Sequence, residues 1–294
     1  WIPQSIRDGR FVQWLKTAKD WSISRSRYWG TPIPVWTDDE YQEFVVIGSA
    51  SELEELSGTT EKISDLHMHN IDHLTIKSKK TGKVLHRVPE VLDCWFESGS
   101  MPFALNHIPF SGKEWKQADF IAEGLDQTRG WFYTMTILST FLGYSSPFKN
   151  VIVNGIILNE NGVKMSKHEK NFTDPEILIS STGADALRLY LISSPAVHAE
   201  PFRFKPDGVK NVVKDVMIPW QNSFKFFIEE VTRHGNKFHR NEKLAFSSNN
   251  KLNKWIISRL NRLIKFVHNE MKAYHLYTVL PELMKFVDEM SKWF

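Results

Sequence analysis

The spacing of apolar residues changes character twice along the chain. In residues 1–20, Phe11, Trp14, Leu15 and Ala18 fall at helical intervals. The next stretch, WSISRSRYWGTPIPVW (21–36), alternates, and Gly30, Pro32 and Pro34 favour extended chain. Residues 37–90 are more polar. EFVVIGS and HLTIKSKKTGKVLHRV predict short strands with a turn at KTGK, together a small β-rich insertion. EVLDCWFESGSMPFAL (90–105) reads as a strand end followed by a loop. In 118–143 a strand ending at Phe120 and Ile121 leads through a loop to a helix. Trp131, Met135, Leu138 and Leu142 form that helix's stripe, and Gly143 stops it. NVIVNGIIL (150–158) is almost wholly apolar, as for a strand buried on both faces. Beyond it the helical period takes over, with Asp174 as a cap and Pro175 at the first helical position.

Two long amphipathic patterns close the chain. Leu252, Ile256, Leu260, Leu263, Ile264, Val267 and Met271 make one stripe. Leu276, Leu280, Leu283, Val287 and Met290 make the next. The predicted organisation is α/β to about residue 175, then all-α. There is no internal repeat and no low-complexity tract.

Composition narrows the class. The 294 residues suggest two domains, with one large domain as the rival. At 41% hydrophobic and 13% aromatic, the chain can bury a sizeable core, which argues against disorder. Residues 205–294 carry 16 Lys and Arg against 9 Asp and Glu, whereas residues 1–204 carry 21 against 25. A basic C-terminal part fits a polyanionic partner or a solvated helical face. The single cysteine, Cys94, excludes a disulfide framework and a cysteine-based zinc site within the chain. No run approaches the ~18–20 apolar residues of a membrane span. The chain opens on Trp1 and is expected to start inside a longer protein.

Candidate chemistry concentrates in NGVKMSKHEKN (161–171), which holds Lys164, Lys167 and Lys170. Lysines on a short Gly/Asn/Ser loop can close over phosphates as mobile point charges. A solvated polar loop has the same composition. The Walker pattern GxxxxGK[ST] is absent, so this is not a P-loop. The pair His67 and His69 suggests metal ligands, but no further ligand cluster stands near it in sequence, and a surface turn fits better.

The ordered string Lys-Met-Ser-Lys at 164–167 is more specific. It resembles the signature loop of class I aminoacyl-tRNA synthetases. WSISRSRYWGTPIPVW, DCWFESGSMPFA, ADFIAEGLDQTRGWFY and GADALRLYLISSP accompany it. Their order is that of the isoleucyl-tRNA synthetases, near the eukaryotic cytosolic form. The resemblance covers essentially the whole chain.

It implies the second half of a Rossmann-like nucleotide-binding catalytic domain with a small β-rich insertion, followed by an all-α tRNA-binding region. The implied segments are 1–36, returning from an editing insertion, and 37–90, the β-rich module. Residues 91–175 would be the C-terminal catalytic half, 176–212 a connecting stem, and 213–294 the start of the anticodon-binding helices. The implied reaction joins an amino acid carboxylate to the ATP α-phosphate, then passes the aminoacyl group to tRNA. ATP with Mg2+ would enter as a substrate complex, with no protein-bound metal. Isoleucine and tRNA would be the partners; a multi-synthetase assembly is compatible, and no membrane is involved.

By the same resemblance Lys164 and Lys167 would stabilise charge building on the phosphates, with Met165, Ser166 and Gly155 completing the ATP site. His168 stands where the family often has Ser. Glu123, Gly124, Asp126, Gln127, Trp131 and Trp95 would hold the aminoacyl-adenylate: the carboxylates on ribose hydroxyls, Gln127 on the amino acid head group, the tryptophans as pocket walls. Asn154 would sit near the adenine. Arg129 is expected as a structural ion-pair partner, and Arg25 and Arg27 as structural rather than RNA-binding. Lys251, Lys254, Arg259, Arg262 and Lys265 would contact tRNA phosphates.

The class I His-Ile-Gly-His motif and the editing domain do not occur in these residues. Alternatives are a valyl or leucyl relative, or a non-catalytic RNA-binding fragment. The 294 residues alone are expected not to form aminoacyl-adenylate at a normal rate. Full ATP–pyrophosphate exchange by this chain in isolation would contradict that.

Overall fold

The polar, alternating stretch after residue 20 folds into six short strands. β1 (Ser24–Arg25) pairs antiparallel with β6 (Val91–Leu92). Between them, β2 (Val35–Thr37), β3 (Phe44–Val46), β4 (Ile76–Lys77) and β5 (Val84–Arg87) form an antiparallel sheet in the order β3–β2–β5–β4. Its burial is one-sided because successive side chains point to opposite faces. In β5, Leu85 and Arg87 are buried, while Val84 and His86 are exposed. Helix α1 (Ala50–Ser57) adds Leu53 to a core of Trp36, Ile47, Ile71, Leu74, Ile76 and Leu85. The Ser49 side chain accepts from the Glu52 amide to start α1, and Glu52 reaches back to the Gly48 amide. The Trp36 indole N–H is satisfied by the Leu74 carbonyl at 2.8 Å.

These elements belong to the computed structural model of the chain, which describes residues 1–166, 168–169, 171–235 and 247–294. The chain divides into two compact units. One comprises Phe11–Ala118 and Asp126–Lys149; the other comprises Trp1–Arg10, Asp119–Leu125 and Asn150–Phe294.

The stretch expected as a loop at 93–105 is helical instead. The Asp93 side chain accepts from the Trp95 amide and caps α2 (Cys94–Gly99), and a second helical turn spans Met101–Ala104. Helix α3 (Trp131–Phe141) packs on α2. A Cβ at Gly99 would stand 3.0 Å from the Thr134 side chain, so the missing side chain permits that packing. Met135 and Leu138 are buried as the stripe predicts, but Leu142 follows the helix and is exposed. Gly143, at φ 79°, takes the left-handed conformation that ends the turn.

In the other unit, β7 (Ile121–Gly124) and β8 (Val151–Asn154) run parallel, with Glu123 opposite Val153 and Gly124 opposite Asn154. Ile2 bridges Ile152 in parallel from the opposite edge. Two expectations change here. The strand begins at Ile121 rather than ending there. The 150–158 run breaks after Asn154 and resumes as β9 (Ile157–Leu158), which pairs parallel with β10 (Phe202–Arg203). Helices follow: α4 (Pro175–Thr182), α5 (Ala184–Ile192), α6 (Pro206–Val212), α7 (Ile218–His234), α8 (Lys251–Lys272) and α9 (Leu276–Trp293). Asp174 caps α4, with Pro175 at its first position. Leu178, Ala186, Phe204, Val209, Val212, Val216 and Val287 form this unit's helical core. No helix among the described residues is long and apolar enough to cross a membrane.

One carboxylate in the four-stranded sheet reports on acid stability. Asp38 is buried and accepts from the Gln42 and Glu43 amides at 2.8 and 2.9 Å and from Lys83 at 2.7 Å. Its hydrogen bond from Lys83, joined by those amides, lowers its pKa from 3.8 to about 2. A depressed pKa stabilises the fold above the unfolded value and loses that contribution as pH falls through the folded one. Asp38→Asn is therefore expected to unfold at lower urea than wild type at neutral pH. The gap should close between pH 3.8 and about 2. A gap that persists unchanged through that window contradicts the assignment.

Candidate functional site

In the unit containing β7 and β8, the residues expected at the nucleotide gather at strand ends. Pairing in register brings Glu123 and Gly124 beside Val153 and Asn154, at the C-terminal edge where parallel strands present ligands. Glu123 is exposed there. Gly155 follows directly, and the Glu200 backbone approaches it so closely that a Cβ at 155 would overlap the Glu200 carbonyl oxygen. The Gly155 amide donates to the Ala196 carbonyl at 2.6 Å. Packing against backbone thus explains this glycine before any ligand is invoked.

The lysine loop is a hairpin springing from β9. The Asn159 side chain accepts from the Asn161 and Val163 amides at 3.1 and 2.9 Å, closing a turn through Gly162 at φ 79°. The strand then returns, and Lys164 bridges Leu158 in antiparallel fashion. Met165, expected at ATP, packs against the helical core around Leu178 and Phe204, because its apolar side chain gains more there than in water. Asn171 ties Lys164 to Ser166: its Oδ1 accepts from the Ser166 amide at 2.8 Å, and its Nδ2 donates to the Lys164 carbonyl at 3.2 Å. Lys164 is exposed. Lys167 and Lys170 lie outside the described residues. Asn171 carried no expectation, although a paired amide seven residues after Lys164 is the kind of side chain that closes such loops. An apolar cavity of about 340 Å³ lies under the loop, lined by Met165, Phe172, Leu178, Leu187, Leu191 and Phe204 among others.

The other unit brings together Gln127, Gly130, Trp131 and Trp95. The Gln127 Oε1 accepts from the Trp131 amide at 2.8 Å, and its Nε2 donates to Asp126 at 3.3 Å. The Trp131 indole donates to the Ser98 carbonyl at 3.0 Å, which fixes the plane of a half-buried ring. A Cβ at Gly130 would stand 3.2 Å from the Trp95 ring and 2.5 Å from Gln127 Oε1, so the glycine lets these groups close up. Trp95 itself is 41% exposed.

Asp93 anchors this cluster. It accepts from the Trp21 indole at 2.9 Å, Arg25 at 2.8 Å and the Trp95 amide at 3.3 Å. Burial alone pushes its pKa up, but these donors outweigh it and hold the carboxyl below its ordinary value. Arg25 is thereby structural. Arg129 is also structural, although through an aromatic face rather than the expected ion pair: its guanidinium lies 3.1 Å from the Trp14 ring centroid. His67 and His69 stand with ring centroids 5.9 Å apart, and His67 meets Asp65 at 2.5 Å. Among the described residues no group of three or more His, Cys, Asp or Glu side chains could hold a metal ion.

The basic stripe on α8 divides. Lys251, Lys254, Arg262 and Lys265 are exposed. Arg259 turns inward and meets Glu289 at 2.6 Å and Glu282 at 2.9 Å on α9. Burial opposes its charge, but the two carboxylates prevail and raise its pKa. It locks two helices together and is withdrawn from the set expected to meet phosphates. The carboxylates that select it lie 23 and 30 residues away, beyond the reach of a pattern on one helix.

This arrangement of parallel strand ends, a lysine-bearing hairpin and a helical tail matches known proteins. The family described as tRNA synthetases class I (I, L, M and V) matches residues 1–203, and the anticodon-binding domain of tRNA ligase matches residues 253–294. The chain belongs to the class I tRNA synthetases of the isoleucine, leucine, methionine and valine group. Its fold is accordingly the α/β class I catalytic fold followed by a helical region. Among relatives, the cytoplasmic isoleucine–tRNA ligase of Schizosaccharomyces pombe is 54% identical, covering 100% of this chain and 28% of its own length. The cytoplasmic enzyme of Mus musculus is 56% identical, covering 100% and 24%. The chain thus spans about a quarter of the length of these relatives.

Solved structures agree in fold. A ternary complex of Agrobacterium radiobacter K84 agnB2 LeuRS with tRNA and LeuAMS superposes with a TM-score of 0.64 at 20% identity, covering 97% of this chain and 39% of that one. Mycobacterium tuberculosis methionyl-tRNA synthetase with methionyl-adenylate gives 0.66 at 15% identity, covering 97% and 46%.

Proposed function

We propose that this chain is part of an enzyme that ligates isoleucine to its tRNA through an isoleucyl-adenylate, using ATP with Mg2+ as substrate. The observation that carries this reading is the identity of 54–56% to isoleucine–tRNA ligases along the whole chain. The site geometry supplies a chemical basis. In the first step an isoleucine carboxylate oxygen forms a bond to the α-phosphorus. The bond from that phosphorus to the bridging oxygen breaks, and its electron pair leaves with pyrophosphate. In the second, a hydroxyl of the terminal adenosine of tRNA attacks the acyl carbon and AMP departs.

Each expected residue has a part in this reading. Lys164 and Lys167 stabilise charge growing on the phosphates, where positioned cations act most strongly in a water-poor site. Ser166 adds a donor, and the Met165 side chain seats the hairpin by packing. Asn154 and Gly155 stand at the end of β8, beside which the adenine would lie. Glu123 and Asp126 accept from ribose hydroxyls. Gln127, with its carbonyl already engaged by Trp131, orients the amino acid head group, and Trp95 and Trp131 wall the side-chain pocket. Such an apolar pocket separates isoleucine from valine by only ~10–200-fold, which gives an editing function its purpose.

Segments 1–36, 37–90, 91–175, 176–212 and 213–294 keep their expected roles in this proposal. The exposed lysines and Arg262 of α8 meet tRNA phosphates, which makes binding fall with salt. A cytoplasmic location follows the names of the relatives, and a shared assembly with other synthetases rests on the family alone.

The test uses the full-length protein. Isoleucine is expected to drive ATP–pyrophosphate exchange well above valine, leucine or methionine. Lys164→Ala and Lys167→Ala should each lower that exchange by roughly 10²–10³-fold, with tRNA affinity changed by less than about threefold. Exchange driven equally by another amino acid overturns the specificity. Exchange intact in Lys167→Ala overturns the role of the loop.

A further inference from the structure

The turn joining α8 to α9 touches the start of β7 and the segment that packs on the end of β8. Tyr274 stacks on Phe120, with ring centroids 5.4 Å apart and an interplanar angle of 12°. Phe120 immediately precedes β7, the strand that ends in Glu123 and Gly124. Three residues further along, Tyr277 meets His198 at 4.1 Å between ring centroids. His198 closes the helical turn Pro195–His198, whose Ala196 carbonyl receives the Gly155 amide and which leads into Glu200. One turn of chain therefore contacts both the start of β7 and the segment that pins the end of β8.

Two features make this contact stiff. Tyr274 at φ 59° and Ala199 at φ 62° both sit in the left-handed region without being glycine. Such conformations cost free energy, persist only where surrounding structure over-determines them, and cluster at functional sites. The turn is also internally tied. Glu270 accepts from the Thr278 hydroxyl at 2.7 Å and contacts the His275 ring at 3.2 Å, while the His275 amide donates to the Glu270 carbonyl at 2.9 Å. On the opposite side, Ser194 and Ala196 are buried, so the Pro195–His198 turn has little room to relax.

We propose that Tyr274 and Tyr277 are positioning residues for ATP: they act through Phe120 and His198 to hold the β7 and β8 strand ends at the spacing the nucleotide requires. This rests on the reading of those strand ends as the ATP site. Neither tyrosine touches the reacting atoms. Removing the Tyr277 ring frees His198, and with it the Ala196 carbonyl and Glu200 backbone that fix Gly155. A displacement of about 1 Å at a positioning contact can cost on the order of 10²-fold in rate. The residues assigned to the amino acid, Trp95, Gln127 and Trp131, belong to the other compact unit. The effect should therefore fall on ATP and spare isoleucine.

The experiment uses full-length protein carrying Tyr277→Leu, Tyr277→Phe or Phe120→Leu. Tyr277→Leu is expected to lower kcat/KM for ATP in isoleucine-dependent exchange by at least about tenfold, in part through a raised KM for ATP, with KM for isoleucine and affinity for tRNA within about twofold. Tyr277→Phe keeps the ring and should restore wild-type values. A loss that merely reduces the folded fraction would lower kcat for every substrate and leave both KM values in place, and that result overturns the proposal. So does a folded Tyr277→Leu protein with wild-type ATP kinetics. If Tyr277→Leu does not fold, Phe120→Leu, which removes the stack on Tyr274, decides in the same way through the second contact of the turn. Hydrogen exchange at the Gly155 amide supplies an arm that needs no activity. Faster exchange in Tyr277→Leu is expected, and unchanged protection overturns the proposal. Absence of isoleucine-dependent exchange in wild type would overturn the functional reading alone.

Discussion

The approach of the Glu200 backbone to Gly155 is the contact on which one of the two units depends. Only a residue without a side chain fits there, and its amide is held by Ala196 at 2.6 Å. That contact ends β8 at Asn154 and diverts the chain into β9, which pairs with β10 instead of prolonging the central pair. The diversion places the signature hairpin beyond β9, so Lys164 returns against Leu158 rather than extending from the buried strand. It also leaves Glu123, Gly124 and Asn154 together at an open strand edge. A polar strand edge and a basic hairpin thus both follow from one backbone contact.

The other unit solves a different problem, the burial of polar groups. Asp93 is 3% exposed and would be costly without its donors from Trp21, Arg25 and the Trp95 amide. Those donors give the carboxylate a second effect: it caps α2 and so positions Trp95. Gln127 acts similarly by engaging the Trp131 amide where Gly130 offers no side-chain cap. Side chains expected at a ligand are thus held by hydrogen bonds within the protein, which limits their rotamer freedom.

Local pattern made part of this legible. The β-rich stretch, the capped helix at Asp174 and the amphipathic pair at the end are periodic features, and the chain realises them. The motif order also pointed to the family that the comparisons support. What sequence could not display was tertiary choice. Asp93 resembles any loop carboxylate until Trp21 and Arg25 fold onto it from about 70 residues away. Arg259 belongs to a basic stripe by spacing, and two carboxylates on α9 decide that it faces inward. The run 150–158 reads as one strand although Asn154 and Gly155 interrupt its apolar residues, and the crossing of Glu200 breaks it there. Met165 is part of a recognisable motif, yet its apolar side chain answers to the core.

Gly155→Ala in the full-length protein, read by isoleucine-dependent exchange and by urea unfolding, probes the Glu200 contact itself. Forcing a methyl group against the Glu200 backbone should destabilise the fold by about 1–3 kcal/mol. It should also lower kcat/KM for ATP at least tenfold, the scale expected of a displaced positioning contact. A variant with wild-type stability and wild-type use of ATP would contradict the claim that this contact shapes the site.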